Sequence, residues 1–280
     1  MYSIIICIIL ILFLCYVNRE KFTNNASKKN NFRKPNFICL GVQKGGTRAL
    51  ISYLNYNKDI YMVGGELHFF DRNYHKGLEW YESKFKSNKK IVGEKTPFYI
   101  YDKKSIDRIY YHYPDIKLII FFREPISRAY SQYTMITDKG RSKFNTFKEY
   151  ILNDLVKKDT ANVEFTDILQ RGYYDLQLSH IYSKFPKKNV FIGFSHDFKN
   201  DPNNYNKIYK FLGAEEKDLS DVQFSDSKMH IRKYVNGEIS REDEILLYDL
   251  YKDHIENFYK IIGKRIDSWD EYHNKIKNYK

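Results

Sequence analysis

Apolar residues fall along this chain in short bursts separated by longer polar stretches whose apolar positions recur every three or four residues. The bursts Asn36 to Gly41 (NFICLG), Lys117 to Phe122 (KLIIFF) and Asn189 to Phe194 (NVFIGF) are too short for helices. Each ends at a glycine, a charged residue or a turn, as buried strands do. Lys90 to Gly93 is a shorter fourth candidate. Helical spacing is predicted over Thr47 to Leu54, Lys103 to Tyr113, Pro125 to Tyr133, Thr146 to Lys157, Tyr173 to Phe185, Asn203 to Leu212 and Arg241 to Ile262. Strands alternating with helices of this length predict an α/β domain with a central parallel sheet and helices on both faces. No internal repeat and no second hydrophobic core is visible.

The run Ile4 to Val17 differs from all of these. It is apolar on every side and spans about 21 Å as a helix, short of a bilayer's roughly 30 Å core. A short membrane anchor, a cleaved signal peptide and a buried helix all fit. No small-residue cleavage site follows, and the run lacks an amphipathic stripe, so residues 1–18 are expected to be an anchor, with a signal peptide as the alternative. Thin internal membranes suit so short a span, which points to a single-pass protein of the secretory pathway. The basic residues Arg19, Lys21, Lys28, Lys29, Arg33 and Lys34 all follow the run and favour the opposite orientation, so topology stays open. Residues 19–34 read as a flexible stem and 35–280 as the folded domain.

Composition changes the picture in two places. A net charge of +12 over 280 residues favours an anionic partner, whether phosphate, acidic glycan, lipid or nucleic acid. No recognised nucleic-acid module accompanies the charge, so nucleic acid is not expected. Of 3 cysteines, Cys7 and Cys15 lie in the N-terminal run and Cys39 in a predicted strand, which leaves no internal disulfide framework. His68, His75 and His112 have no zinc-ligand spacing, and no metal is implied.

The segment richest in chemistry is Gly41-Val42-Gln43-Lys44-Gly45-Gly46-Thr47-Arg48, set between the first strand and the first helix. Glycines let successive N–H groups converge on one anion, and a helix N-terminus adds its positive dipole end. Lys44 and Arg48 bring full charges and Thr47 a hydroxyl. The lysine precedes the glycines, so the string is not the nucleoside-triphosphate loop. The strand Lys117 to Phe122 ends in Arg123, not in a magnesium-binding aspartate. A kinase is therefore disfavoured. Arg123 and Ser131, two helical turns apart, suit a second phosphate, whereas Arg128 between them is expected to pair elsewhere.

The string KGGTRAL at Lys44 to Leu50 resembles the 5′-phosphosulfate loop of heparan sulfate sulfotransferases, with the glucosaminyl 3-O-sulfotransferase branch nearest. ELHFFD (Glu66 to Asp71), GLEWY (Gly77 to Tyr81), EKTPFY (Glu94 to Tyr99) and REPISRAYSQY (Arg123 to Tyr133) follow in that family's order. The resemblance implies a P-loop-like three-layer sandwich that uses the donor 3′-phosphoadenosine-5′-phosphosulfate (PAPS) and releases PAP. It assigns Lys44, Gly45, Gly46, Thr47 and Arg48 to the 5′-phosphosulfate, and Arg123 with Ser131 to the 3′-phosphate. Glu66 becomes the base that takes the acceptor proton. His68 and Asp71 become its orienting or acceptor-binding neighbours, and Lys95 a residue near the sulfuryl group or acceptor. Lys228 and Arg232 occupy the place of a loop covering a phosphate, although the family's disulfide there is absent and Gln43 stands where many relatives carry arginine. The expected acceptor is a carbohydrate, with a heparan-like glycan foremost. A tyrosine or small-alcohol sulfotransferase and a non-catalytic polyanion-binding membrane protein remain alternatives.

Overall fold

The computed structural model describes residues 33–156, 167–224 and 237–279. Five parallel strands form one sheet in the order β2-β3-β1-β4-β5: β1 is Phe37–Gly41, β2 Ile60–Met62, β3 Ile91–Lys95, β4 Lys117–Phe122 and β5 Val190–Phe194. The helices are α1 (Thr47–Tyr56), α2 (Leu78–Glu82), α3 (Lys103–His112), α4 (Pro125–Asp138), α5 (Phe147–Val156), α6 (Tyr174–Tyr182), α7 (Ser195–Asn200), α8 (Tyr205–Leu212), α9 (Arg241–Ile262) and α10 (Asp267–Lys277). Residues Lys34–Lys280 make one compact unit.

Because side chains alternate along a strand, each strand feeds both faces of the sheet. Ile38, Leu40, Val92, Leu118, Ile120 and Phe122 point into a large core shared with α3, α4, α5, α6, α9 and α10. Phe37, Cys39, Ile91, Ile119 and Phe121 point the other way, against α1, α7 and α8. One sheet thus separates two apolar clusters, as helices on both of its faces require.

Strand β2 was not anticipated. It has 3 residues, fewer than an alternation needs to show, and its place at the sheet edge is secured from outside. Met62 N–H donates to Asn55 Oδ1 (2.9 Å), and Lys89 Nζ donates to the Ile60 carbonyl (2.9 Å). Helices α2, α7 and α10 also go beyond the predicted set, and β3 runs to Lys95 instead of stopping at Gly93. That extension carries Glu94 and Lys95 to the carboxyl edge of the sheet.

β1 lies at the centre, and the chain fills one side of it (β2, β3) before crossing to the other (β4, β5). The crevice at the carboxyl ends of β1 and β4 is thus a topological switch point, where open α/β sheets receive ligands. No helix among the described residues is long and apolar enough to cross a membrane. The expected anchor and all but the end of the stem fall outside them.

Candidate active site

The loop leaving β1 is shaped by close approach. A Cβ on Gly45 would lie 2.4 Å from the Phe121 carbonyl oxygen, so only glycine fits there without displacing β4. Lys44 has φ 70° and Gly46 φ 85°, both left-handed, and Gly46 is the N-cap of α1. Gly46 has no side chain with which to cap that helix, so its first N–H groups are left by the cap residue for another acceptor. Thr47 is buried and Arg48 exposed on the first turn. Gln43 Oε1 accepts from Arg171 Nη1 at 3.0 Å, and that guanidinium lies over the rings of Phe98 and Tyr101.

Arg123 follows β4. Its Nη1 reaches the Lys44 carbonyl at 3.5 Å, and Tyr174 Oη donates to the Arg123 carbonyl at 2.9 Å. A cleft of about 530 Å³ opens here, lined by Lys44, Gly46, Arg123 and Ser127 among others, with Phe198, Tyr205 and Trp269 as aromatic wall. Ser131, one turn beyond Ser127 on α4, is 5 % exposed. Arg128 does pair elsewhere: it is fully buried and donates to Gln132 Oε1 and the Ile168 carbonyl. Lys228 and Arg232 lie outside the described residues.

On the other side of β1, at the end of β3, four predicted residues come together. Lys95 Nζ lies 2.8 Å from Glu66 Oε1, His68 Nε2 lies 3.3 Å from Glu66 Oε2, and His68 Nδ1 lies 2.7 Å from Asp71 Oδ2. Burial works to raise the Glu66 carboxyl, but the hydrogen bond from His68 and the Lys95 charge outweigh it and hold the pKa at about 2. Burial likewise opposes the His68 imidazolium, yet its bonds to Asp71 and Glu66 raise it to about 9. Between those values Glu66 is an anion and His68 a cation, and Glu66 is the most exposed member of the cluster at 39 %.

This cluster rests on further residues of the GLEWY and EKTPFY motifs, to which the sequence alone assigns no place in the site. His68 has φ 48°, and its strained backbone is pinned by its N–H donating to Thr96 Oγ1 at 3.3 Å. Thr96 Oγ1 in turn donates to Glu94 Oε2 (2.8 Å), and Tyr81 Oη donates to Glu94 Oε1 (3.0 Å). Tyr99 Oη accepts from the Phe69 N–H at 2.8 Å. Glu94 is fully buried, and burial pushes its carboxyl up to about 7 against those hydrogen bonds. Its signal in the sequence was its place beside Lys95 in EKTPFY, but alternation alone cannot say that a strand-end glutamate points inward.

A central parallel sheet, an anion cradle at its switch point and a carboxylate–lysine pair beside it are now in place. Residues 34–265 match the family model described as "Sulfotransferase domain".

The chain belongs to the sulfotransferase domain family.

The human protein named heparan sulfate glucosamine 3-O-sulfotransferase 3B1 is 31% identical over 273 residues, covering 89% of this chain and 67% of that one. The match spans about two thirds of the length of the human and mouse proteins named 3B1 and 3A1, between 62% and 67%. Among solved structures, a sulfotransferase from Alicyclobacillus acidocaldarius superposes with TM-score 0.73 at 22% identity, covering 85% of this chain and 99% of that one. Mouse sulfotransferase SULT7A1, solved in complex with PAP, has TM-score 0.56 at 14% identity, with 87% and 90% covered. Those two likenesses establish the shared fold. Among the described residues of this sulfotransferase-family chain, no group of three or more His, Cys, Asp or Glu is placed to hold a metal.

Proposed function

We propose that the protein transfers the sulfuryl group of PAPS to a hydroxyl or amine of a carbohydrate, with a heparan sulfate-like glycosaminoglycan as the acceptor class. The observation that carries this reading is the Glu66–Lys95 pair, held by His68 and Asp71 at the same sheet edge as the Lys44–Gly45–Gly46 cradle.

The donor's chemistry fits the residues present. Backbone N–H groups at the start of α1, the Thr47 hydroxyl and the Lys44 and Arg48 charges suit a 5′-phosphosulfate. Arg123, with Ser131 behind it, suits the 3′-phosphate, and the aromatic wall of the 530 Å³ cleft suits a flat purine. PAPS supplies a sulfur already bonded to a good leaving oxygen. As the acceptor oxygen or nitrogen bonds to that sulfur, the bond to the 5′-phosphate oxygen breaks and PAP departs.

The side chains of this protein carry the charge and the proton. Lys44 offsets negative charge growing on the leaving oxygen. Glu66 takes the acceptor proton, and its low pKa makes proton transfer uphill while Lys95 stays bonded to it. Lys95 turning from Glu66 to the sulfuryl oxygens removes part of that restraint and raises the basicity of Glu66 when it is needed. His68, cationic and clamped by Asp71, keeps the carboxylate aimed. The acceptor class follows from the +12 charge and the names of the relatives. Residues 1–18 are proposed as a membrane anchor of the secretory pathway, with 19–34 as stem and 35–280 as the catalytic domain.

The test is transfer of labelled sulfate from PAPS to a panel of heparan-type glycans, other saccharides and tyrosine peptides. Incorporation into glycan supports the reading. Incorporation into peptide alone keeps the donor site and overturns the acceptor class.

A further inference from the structure

Helix α10 lies beyond the segment 34–265 that matches the family model, yet Ser268, Trp269 and Tyr272 from this helix line the same cleft as Lys44, Arg123 and Ser127. It is firmly seated: Trp269 is 2 % exposed, stacked on Phe258 and edge-on to Phe194, and Ile276 is fully buried. On the same face His273, 3 % exposed, brings Nε2 to 3.0 Å from Glu124 Oε1.

Glu124 is the residue this contact acts on. It is the N-cap of α4, with Oε1 accepting from the Ile126 N–H (2.9 Å) and Oε2 from the Ser127 N–H (2.7 Å). It also lines the cleft next to Arg123, where a carboxylate turned outward would repel an incoming phosphate. Two backbone donors alone hold it in one rotamer only as well as the first turn of α4 is held. The third donor, His273, comes from a separately packed helix and fixes that rotamer from outside.

We infer that His273 is a positioning residue for the 3′-phosphate side of the donor site: it keeps the Glu124 carboxylate turned onto α4 and away from the bound anion. This rests on the PAPS reading above. The C-terminal helix is then part of the donor site, although it makes no use of a phosphate-loop motif. Its contribution is assigned to the 3′-phosphate because Glu124 directly follows Arg123, the residue placed on that phosphate.

The test is calorimetric binding of PAP and of 5′-AMP, which lacks the 3′-phosphate, to the full-length protein. His273→Ala and His273→Phe are the variants; the second keeps a ring against Tyr248, whose centroid lies 5.3 Å away. Both are expected to weaken PAP about tenfold while leaving 5′-AMP unchanged, so that the preference for PAP collapses. His273→Gln, which retains a donor, is expected to restore most of it. Equal loss for both nucleotides, or no loss in either variant, overturns the inference and leaves the donor assignment standing. A wild-type protein that binds no PAP overturns the donor assignment and the inference with it. Thermal melts by circular dichroism show whether each variant is folded before its binding is scored.

Discussion

The two proposed halves of the site are built from different materials. The donor side is framed by backbone, with a glycine that packs against a neighbouring strand, a left-handed lysine and a helix start at Gly46. The Lys44, Arg48 and Arg123 charges are set around that frame. The acceptor side is almost wholly side chain, four ionisable groups in mutual contact over a buried glutamate. Backbone cradles are fixed by steric fit and do not titrate. A cluster of charges is tuned by its members and changes when any one of them does. The first half therefore fails by shape, and the second by electrostatics.

The largest effect that separates them belongs to Gly45→Ala. With its Cβ 2.4 Å from a carbonyl on β4, the loop must move, and PAP binding is expected to fall at least a hundredfold. Acceptor binding measured without donor is expected to stay within about twofold of wild type, because the Glu66 cluster hangs from β3. Loss of both together would mean that the halves are not independent.

Next comes pH. Glu66 ionises near 2 and His68 stays protonated to about 9, so the charge pattern exists between those values. The His68 pKa is raised, so its contribution is complete below the ordinary imidazole value and is lost as pH rises through about 9. Transfer at saturating PAPS is expected to fall about tenfold per unit above that point, with the limb absent in His68→Ala. PAP affinity shows no such limb if the donor side is backbone-built.

The smallest expected effect tests the support. Burial raises Glu94 to about 7. Its contribution to stability is present below the normal carboxyl value and lost as pH rises through 7. Between pH 5 and pH 8 the melting temperature of wild type should drop by a few degrees relative to Glu94→Gln, which cannot ionise. Parallel pH dependences for the two proteins would show that Glu94 ionises alike in the folded and unfolded states, against the rise that its burial requires.

How much of this was legible depended on distance in sequence. KLIIFF and the 22-residue α9 were readable end to end because an unbroken apolar run and a long amphipathic repeat each leave one solution. Helix α10 was not, since its 11 residues are mainly polar and only Trp269, His273 and Ile276 are buried. Glu66, His68, Asp71 and Lys95 were nameable because two short motifs carry them. Their contacts became visible only when β3 and the ELHFFD loop were set side by side. Arg171, Tyr174 and His273 reach the site from elements far along the chain, and no local pattern marks where such a side chain will land. Glu124 stood inside a recognised motif, yet its cap role needed the helix start to be seen.

The measurement closest to the central claim is wild type against Glu66→Gln, with PAP binding and sulfate transfer measured on the same preparation. A donor site built on the β1 and β4 loops and a base on the β3 side predict PAP affinity within about twofold of wild type and transfer lowered by about a thousandfold. Transfer that survives in the glutamine variant would contradict the assignment of Glu66 as base, and PAP affinity that falls with it would contradict the separation of the two halves.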